Sequence, residues 1–292
     1  MHMLLRNKSG VFESNCVDLY DKITGELCDF ASHAEENPIE ATHQTRKKLK
    51  LLRAFAKLLQ PSTNSDQYQF VNKTLRDWGR DFSELRDAHV RSIVLNEFSI
   101  NPEFETDQIL LNHLLEINHA EVALLESNTI IRRNRFSELE ENIRNNRPIR
   151  MYFFGAAVPD LLLEGFNISY MKSHLAIKQA NSDNDPDKVH EWRKRAKDVQ
   201  YQAELLMSAN ENDNLTELHS SISLVCDDLG AANDFHMLFV WIKEIAKNEA
   251  SMDFSELIEK VKTENKNFLS NSFSKGTDFY SKFSEPVRAL TV

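Results

Sequence analysis

His43-Gln44-Thr45-Arg46-Lys47-Lys48-Leu49-Lys50 has a counterpart 147 residues further on, His190-Glu191-Trp192-Arg193-Lys194-Arg195-Ala196-Lys197, and both read His-x-x-Arg-Lys-basic-x-Lys. A second pair, Arg86-Asp87-Ala88-His89-Val90 and Asn233-Asp234-Phe235-His236-Met237, agrees at the same 147-residue offset. Two matches at one spacing, close to half of 292 residues, predict a tandem duplication with equal element lengths in each half. The expected units are residues 1–147 and 148–292, together making one domain.

Turn-forming residues are scarce, which decides what the repeated unit is made of. Only 7 glycines and 7 prolines occur in the chain, about a third and a half of ordinary usage. Sandwiches, barrels and dinucleotide-type α/β folds need more turns than this supports. The pattern predicts an all-α fold in which the second half repeats the four-helix plan of the first. The expected helices are 10–34, 39–59, 66–98 and 104–145, the last interrupted near Asn134, then 159–182, 187–209, 213–248 and 253–282. Asn37-Pro38, Pro61 and Asn101-Pro102 serve as breaks, and Asn145 to Pro159 is the expected connector.

Charge and cysteine content exclude several classes. The chain carries 45 acids against 35 bases, a net −10, so a bulk-basic nucleic-acid binder is disfavoured and any anion site must be local. Cys16, Cys28 and Cys226 are odd in number and match no zinc spacing, which predicts a reducing, cytoplasmic setting. Met1 to Gly10 contains no apolar leader, and no run of about 18 apolar residues occurs, so neither export nor a membrane span is expected.

On a helix at about 100° per residue, His43, Arg46, Lys47, Lys50, Arg53 and Lys57 fall within an arc of about 120°. Leu49, Leu51, Leu52, Phe55, Leu58 and Leu59 take the opposite side, and no acid lies between Ala41 and Leu59. Lys48 is the exception and is expected to snorkel outward. In the second copy His190, Arg193, Lys194 and Lys197 take matching angles with Tyr201 beside them, while Gln200 and Glu204 replace two bases. Like charges three and four residues apart cost a few tenths of a kcal/mol per pair. Ordinary solvated helices alternate sign instead. A polyanion reverses that cost through charge-assisted hydrogen bonds. The first row is about 21 Å long at 1.5 Å per residue, far longer than one phosphate. Asp87 and Asp234 are expected to orient a base, and Arg132, Arg133 and Arg135 to extend the basic surface.

The two His-x-x-Arg-Lys rows, the Arg-Asp and Asn-Asp elements, residues 75–90 (LRDWGRDFSELRDAHV), 223–238 (SLVCDDLGAANDFHML) and 134–139 (NRFSEL) together resemble the CHAD family, the conserved histidine α-helical domain. The resemblance spans nearly the whole chain. It implies two four-helix units related by a pseudo-twofold axis, CHAD-like, and binding of inorganic polyphosphate through basic helices without catalysis by the domain; no metal or cofactor is expected. The residues it points to are His43, Arg46, Lys47, Lys50 and Arg53, with His190, Arg193, Lys194, Lys197 and Tyr201. A cytoplasmic setting, polyphosphate granules included, goes with that reading. Two alternatives come from the residues. One is a metal-dependent phosphohydrolase using His43, His190, His89, His236, Asp87 and Asp234, disfavoured by cationic neighbours and by the absence of a metal-binding signature. The other is a helical adaptor or RNA binder, disfavoured because no aromatic residue is interleaved with the bases.

Overall fold

The computed structural model describes residues 9–100, 107–154, 159–183, 185–209, 213–249 and 251–285. Among them are eleven α-helices and no strand. In chain order these are α1 Ser9–Ser32, α2 Pro38–Leu58, α3 Ser65–Arg80, α4 Ser83–Ile100, α5 Gln108–Glu126 and α6 Arg135–Asn145. The remainder are α7 Arg147–Phe154, α8 Pro159–Asp183, α9 Pro186–Ala209, α10 Asp213–Asn248 and α11 Ser255–Lys282.

Local chemistry sets the starts. Asn37 caps α2, its Oδ1 accepting from Glu40 N at 3.3 Å, with Pro38 in the first turn where its missing N–H costs nothing. Asp185 bonds Asp187 N at 3.0 Å ahead of α9, again with proline following the acceptor. Leu59 N closes α2 onto Phe55 O at 3.1 Å before Pro61.

Two expected boundaries change, and the expected interruption near Asn134 is present. The single helix over 66–98 is two helices, α3 and α4, separated at Asp81 and Phe82. Phe82 turns into the core against Phe136, with ring centroids 4.6 Å apart, and Arg46 reaches in to bond the Gly79 carbonyl at 2.8 Å. The long fourth helix ends at Glu126, passes through a six-residue π-turn, Ser127–Arg132, and turns at Asn134, whose φ of 46° is a left-handed conformation that asparagine tolerates. The expected connector is largely the helix α7. Asn146 Oδ1 accepts from Ile149 N at 3.2 Å to start it, and Ile149 and Phe153 are fully buried. The Asn101-Pro102 break lies outside the described residues.

Phe153 stacks on Tyr20 at 4.7 Å and meets Phe55 at 4.9 Å, so this short helix anchors α1 to α2. The larger core runs through both sequence halves, joining Leu49, Leu52 and Phe55 of α2 to Trp192, Ala196 and Val199 of α9. A smaller core unites Leu95 and Phe98 of α4, Leu111 and Leu114 of α5, Leu238 and Ile242 of α10, and Leu257 and Val261 of α11. Gln202 donates to the Ala54 carbonyl at 3.1 Å, tying α9 to α2. The fold therefore sets the two basic helices against each other.

Close approach of α8 to α2 depends on Gly165, where a Cβ would stand 2.1 Å from the Leu58 carbonyl oxygen. Gly165→Ala is expected to cost about 2–3 kcal/mol by overpacking. Gly25 has nothing within 4 Å of its would-be Cβ. Gly25→Ala is expected to stabilise by up to about 1 kcal/mol, as alanine does in helix interiors. Urea unfolding separates the two, and equal midpoints for both variants would contradict this packing.

Candidate functional site

The site begins with the division of α2 and α9 into two faces. Leu49, Leu51, Leu52 and Phe55 are buried, and so are Trp192, Ala196 and Val199. Arg46, Lys50, Arg53, Arg193 and Lys197 are partly buried, whereas His43, Lys47, His190 and Lys194 are exposed. The outer members form a rim and the inner members a cluster.

Lys50 is the centre of the cluster. Burial acts on it first, followed by Arg46, Arg193, Arg86 and Lys197, and together they bring its pKa down from 10.5 to about 7. Cations of both helices and of α4 therefore converge on one amine. Arg46 spends Nη1 on the Gly79 carbonyl and the Ser83 hydroxyl, yet its Nε is buried without a partner. Arg193, at the matching position of α9, also has a buried and unpartnered Nε. Burial lowers the pKa of both guanidiniums, with Asp87 acting in the opposite sense on Arg46 and Asp234 on Arg193.

Asp87 and Asp234, expected to pair across to the basic helices, both meet Arg86 of α4 instead. Its Nη1 lies 3.2 Å from each carboxylate, the second reached across the sequence halves. Burial works against the Arg86 charge, but the two carboxylates outweigh it and hold its pKa above the ordinary value. Arg86 was visible in the repeated Arg-Asp element without being counted among the binding residues. The signal was a base where the second copy has Asn233. The histidine pKa values fall, that of His43 by burial and then Arg86, that of His190 by burial and then Lys194 and Arg193.

Not every member of the expected rows joins the cluster. Lys57 is paired with Asp198 of α9, both largely buried, so its charge is already neutralised. Arg53 donates through Nε to Asn72 at 3.1 Å, and Gln200 in the corresponding place of α9 bonds Ser223 at 2.9 Å. Lys48 pairs with Glu26 of α1 rather than reaching freely outward. Tyr201 is buried, and burial pushes its phenol up to about 12. Lys194 stands 3.6 Å from Glu191. Arg132 bonds Asn128 and Arg135 bonds Glu138. Neither these two nor Arg133 is among the charges acting on Lys50. The usable length is thus shorter than the full row of α2.

His89 is buried and meets Glu126 at 2.9 Å, while His236 lies against the Phe239 ring. Among the described residues no three His, Cys, Asp or Glu side chains are grouped to hold a metal ion.

A cluster of this kind opposes folding, and the sign follows from Lys50. Between about pH 7 and 10.5 the unfolded chain holds a proton that the folded chain has released. Its penalty is therefore full below pH 7 and fades as pH rises to 10.5. Lys50→Met is expected to stabilise the fold at pH 6 by on the order of 2 kcal/mol, allowing for its partial exposure. The gain should vanish above about pH 10.5. Urea midpoints across that pH range test it, and a loss of stability at pH 6 would contradict the site's geometry.

Comparisons with known proteins agree with the fold. The family model described as CHAD domain matches residues 23–242. The crystal structure of the CHAD domain from the plant Ricinus communis superposes with a TM-score of 0.57 at 16% identity, over 94% of this chain and 90% of that one. No curated protein matches the sequence. The family match covers most of the chain and agrees with its all-helical architecture, and the chain belongs to the CHAD domain family.

Proposed function

We propose that this chain binds inorganic polyphosphate without catalysing a reaction on it. One observation carries the reading. Arg46, Lys50, Arg86, Arg193 and Lys197 come together from three helices, and the carboxylates Asp87 and Asp234 leave a positive surplus around Lys50. A chain of phosphoryl groups supplies closely spaced negative oxygens and returns the desolvation and repulsion stored there. His43 and Lys47 on one side, and His190 and Lys194 on the other, extend the contact at the rim. A tandem duplication would explain why Arg46 and Arg193 present the same orphaned donor. Among the described residues no helix is long and apolar enough to cross a membrane. The setting this reading implies is the cytoplasm, at stores of the polymer.

Titration with long-chain polyphosphate at increasing salt provides the test. Five neutralised phosphates should give a log–log slope of roughly −3.5, taking about −0.7 per contact as for single-stranded nucleic acid. Lys47→Glu combined with Lys194→Glu, both exposed, should weaken binding on the order of 10–100-fold. Lys247→Glu with Lys262→Glu, which pair with Glu244 and Glu259, should change it by less than about threefold. A flat salt dependence, release of orthophosphate, or tighter binding of single-stranded RNA would overturn the reading.

A further inference from the structure

A cavity of about 40 Å³ opens to solvent where α2, α3, α8 and α9 meet, and Lys50 does not line it. Lys57, which does, is roughly 10 Å further along α2 at about 1.5 Å per residue. Gly165 lies in the wall. Its missing Cβ lets α8 settle on the Leu58 carbonyl and brings Ser169 and Lys172, one and two turns on, to the same opening. Tyr68 enters from α3, and Arg195 and Asp198 from α9. Roughly 10–15 Å³ accommodates one water, so the space takes about three waters or one tetrahedral oxyanion.

The lining chemistry favours the oxyanion. Lys57, Lys172 and Arg195 are its bases and Asp198 its acid. Lys57 holds Asp198 through Oδ2 at 2.5 Å, so that pair adds no net charge. Arg195 gives Nη2 to Glu191 at 2.6 Å, on the side away from the lining. Lys172 is exposed and has no hydrogen-bond or ion-pair partner among the described residues. The hydroxyls of Tyr68 and of buried Ser169 have no protein partner there either. Free donors therefore surround the space, and Asp198 Oδ1 is left as an acceptor. A carboxylate accepts hydrogen bonds and repels an anion that has no proton to give. Hydrogen phosphate has such a proton and sulfate does not.

We propose that this cavity binds a single hydrogen phosphate group. Lys172, Arg195 and the Tyr68 and Ser169 hydroxyls donate to its oxygens, and Asp198 accepts its P–OH. Free orthophosphate and the terminal group of a phosphate chain share this chemistry. The site is separate from the cluster at Lys50 and does not rest on polyphosphate being bound there.

Orthophosphate is the probe, its phosphorus NMR linewidth followed as the full chain is added at pH 7.5. Saturable binding is expected, with sulfate competing at least about tenfold more weakly because it cannot satisfy Asp198. Lys172→Gln removes an exposed, unpartnered side chain and should weaken orthophosphate about tenfold while circular dichroism stays unchanged. Lys178→Gln removes the same charge from α8 outside the cavity and should change binding less than about twofold. No saturable binding, equal competition by sulfate, or equal effects of the two variants overturns the proposal. Polyphosphate with open or esterified ends then identifies the source. Displacement of orthophosphate by open-ended chains alone assigns the site to chain ends, and retention against both assigns it to the free ion. Displacement by both alike makes the cavity part of the polymer track and overturns a separate site. A flat salt dependence for the polymer removes the polyphosphate reading and leaves this site standing, whereas a steep slope with no orthophosphate bound does the reverse.

Discussion

Repulsion among Arg46, Lys50, Arg86, Arg193 and Lys197 is the interaction that the rest of the fold must withstand. Each cation has lost part of its water, and burial among like charges holds the pKa of Lys50 down to about 7. Apolar contacts beneath the cluster oppose it. Leu49 and Phe55 under one row, and Trp192 and Val199 under the other, are almost completely buried. Each such side chain contributes about 1.5–3 kcal/mol when removed from water. The Gln202 bond to Ala54 and the Lys57–Asp198 pair then fix how the two helices meet.

The acids are placed as deliberately as the bases. Asp87 and Asp234 hold Arg86 from both sequence halves, at 3.2 Å each, where the guanidinium still acts on Lys50. Asp198 does the opposite at the other end of the rows, where it neutralises Lys57 and acts on Arg53. The overall charge of −10 surrounds a local positive concentration. Under the proposed reading, such a field would steer an anionic ligand to one place and discourage binding elsewhere.

How much of this was legible in the sequence differs between elements. Helical character, the buried face of α2 and the rim residues His43, Lys47, His190 and Lys194 followed from periodicity, because each depends on a side chain's angle around one axis. The break between α3 and α4 did not, because it depends on Phe82 finding Phe136 and on Arg46 finding Gly79, partners remote in sequence. The helix α7 falls in the expected connector because Pro148, Gly155 and Pro159 give residues 145–159 the composition of a loop. In the fold Asn146 caps that helix and Pro148 sits in its first turn, where proline is tolerated. Lys57 shared the angular position of true cluster members. Only the packing of α9 shows that Asp198 claims it. Arg86 was missed as a contributor for the complementary reason, since it lies outside both rows and reaches the cluster from α4.

If a polyanion binds at this cluster, it compensates the charge around Lys50 and restores the proton that burial disfavours, so proton uptake on binding is the direct readout. Calorimetric titration with polyphosphate at pH 7.5, in buffers of differing ionisation enthalpy, gives the number of protons taken up. Uptake of a large part of one proton by Lys50 is expected, added to smaller uptake at His43 and His190, and the Lys50 share disappears in Lys50→Met. Binding with no proton uptake, or uptake unaltered in that variant, would contradict it.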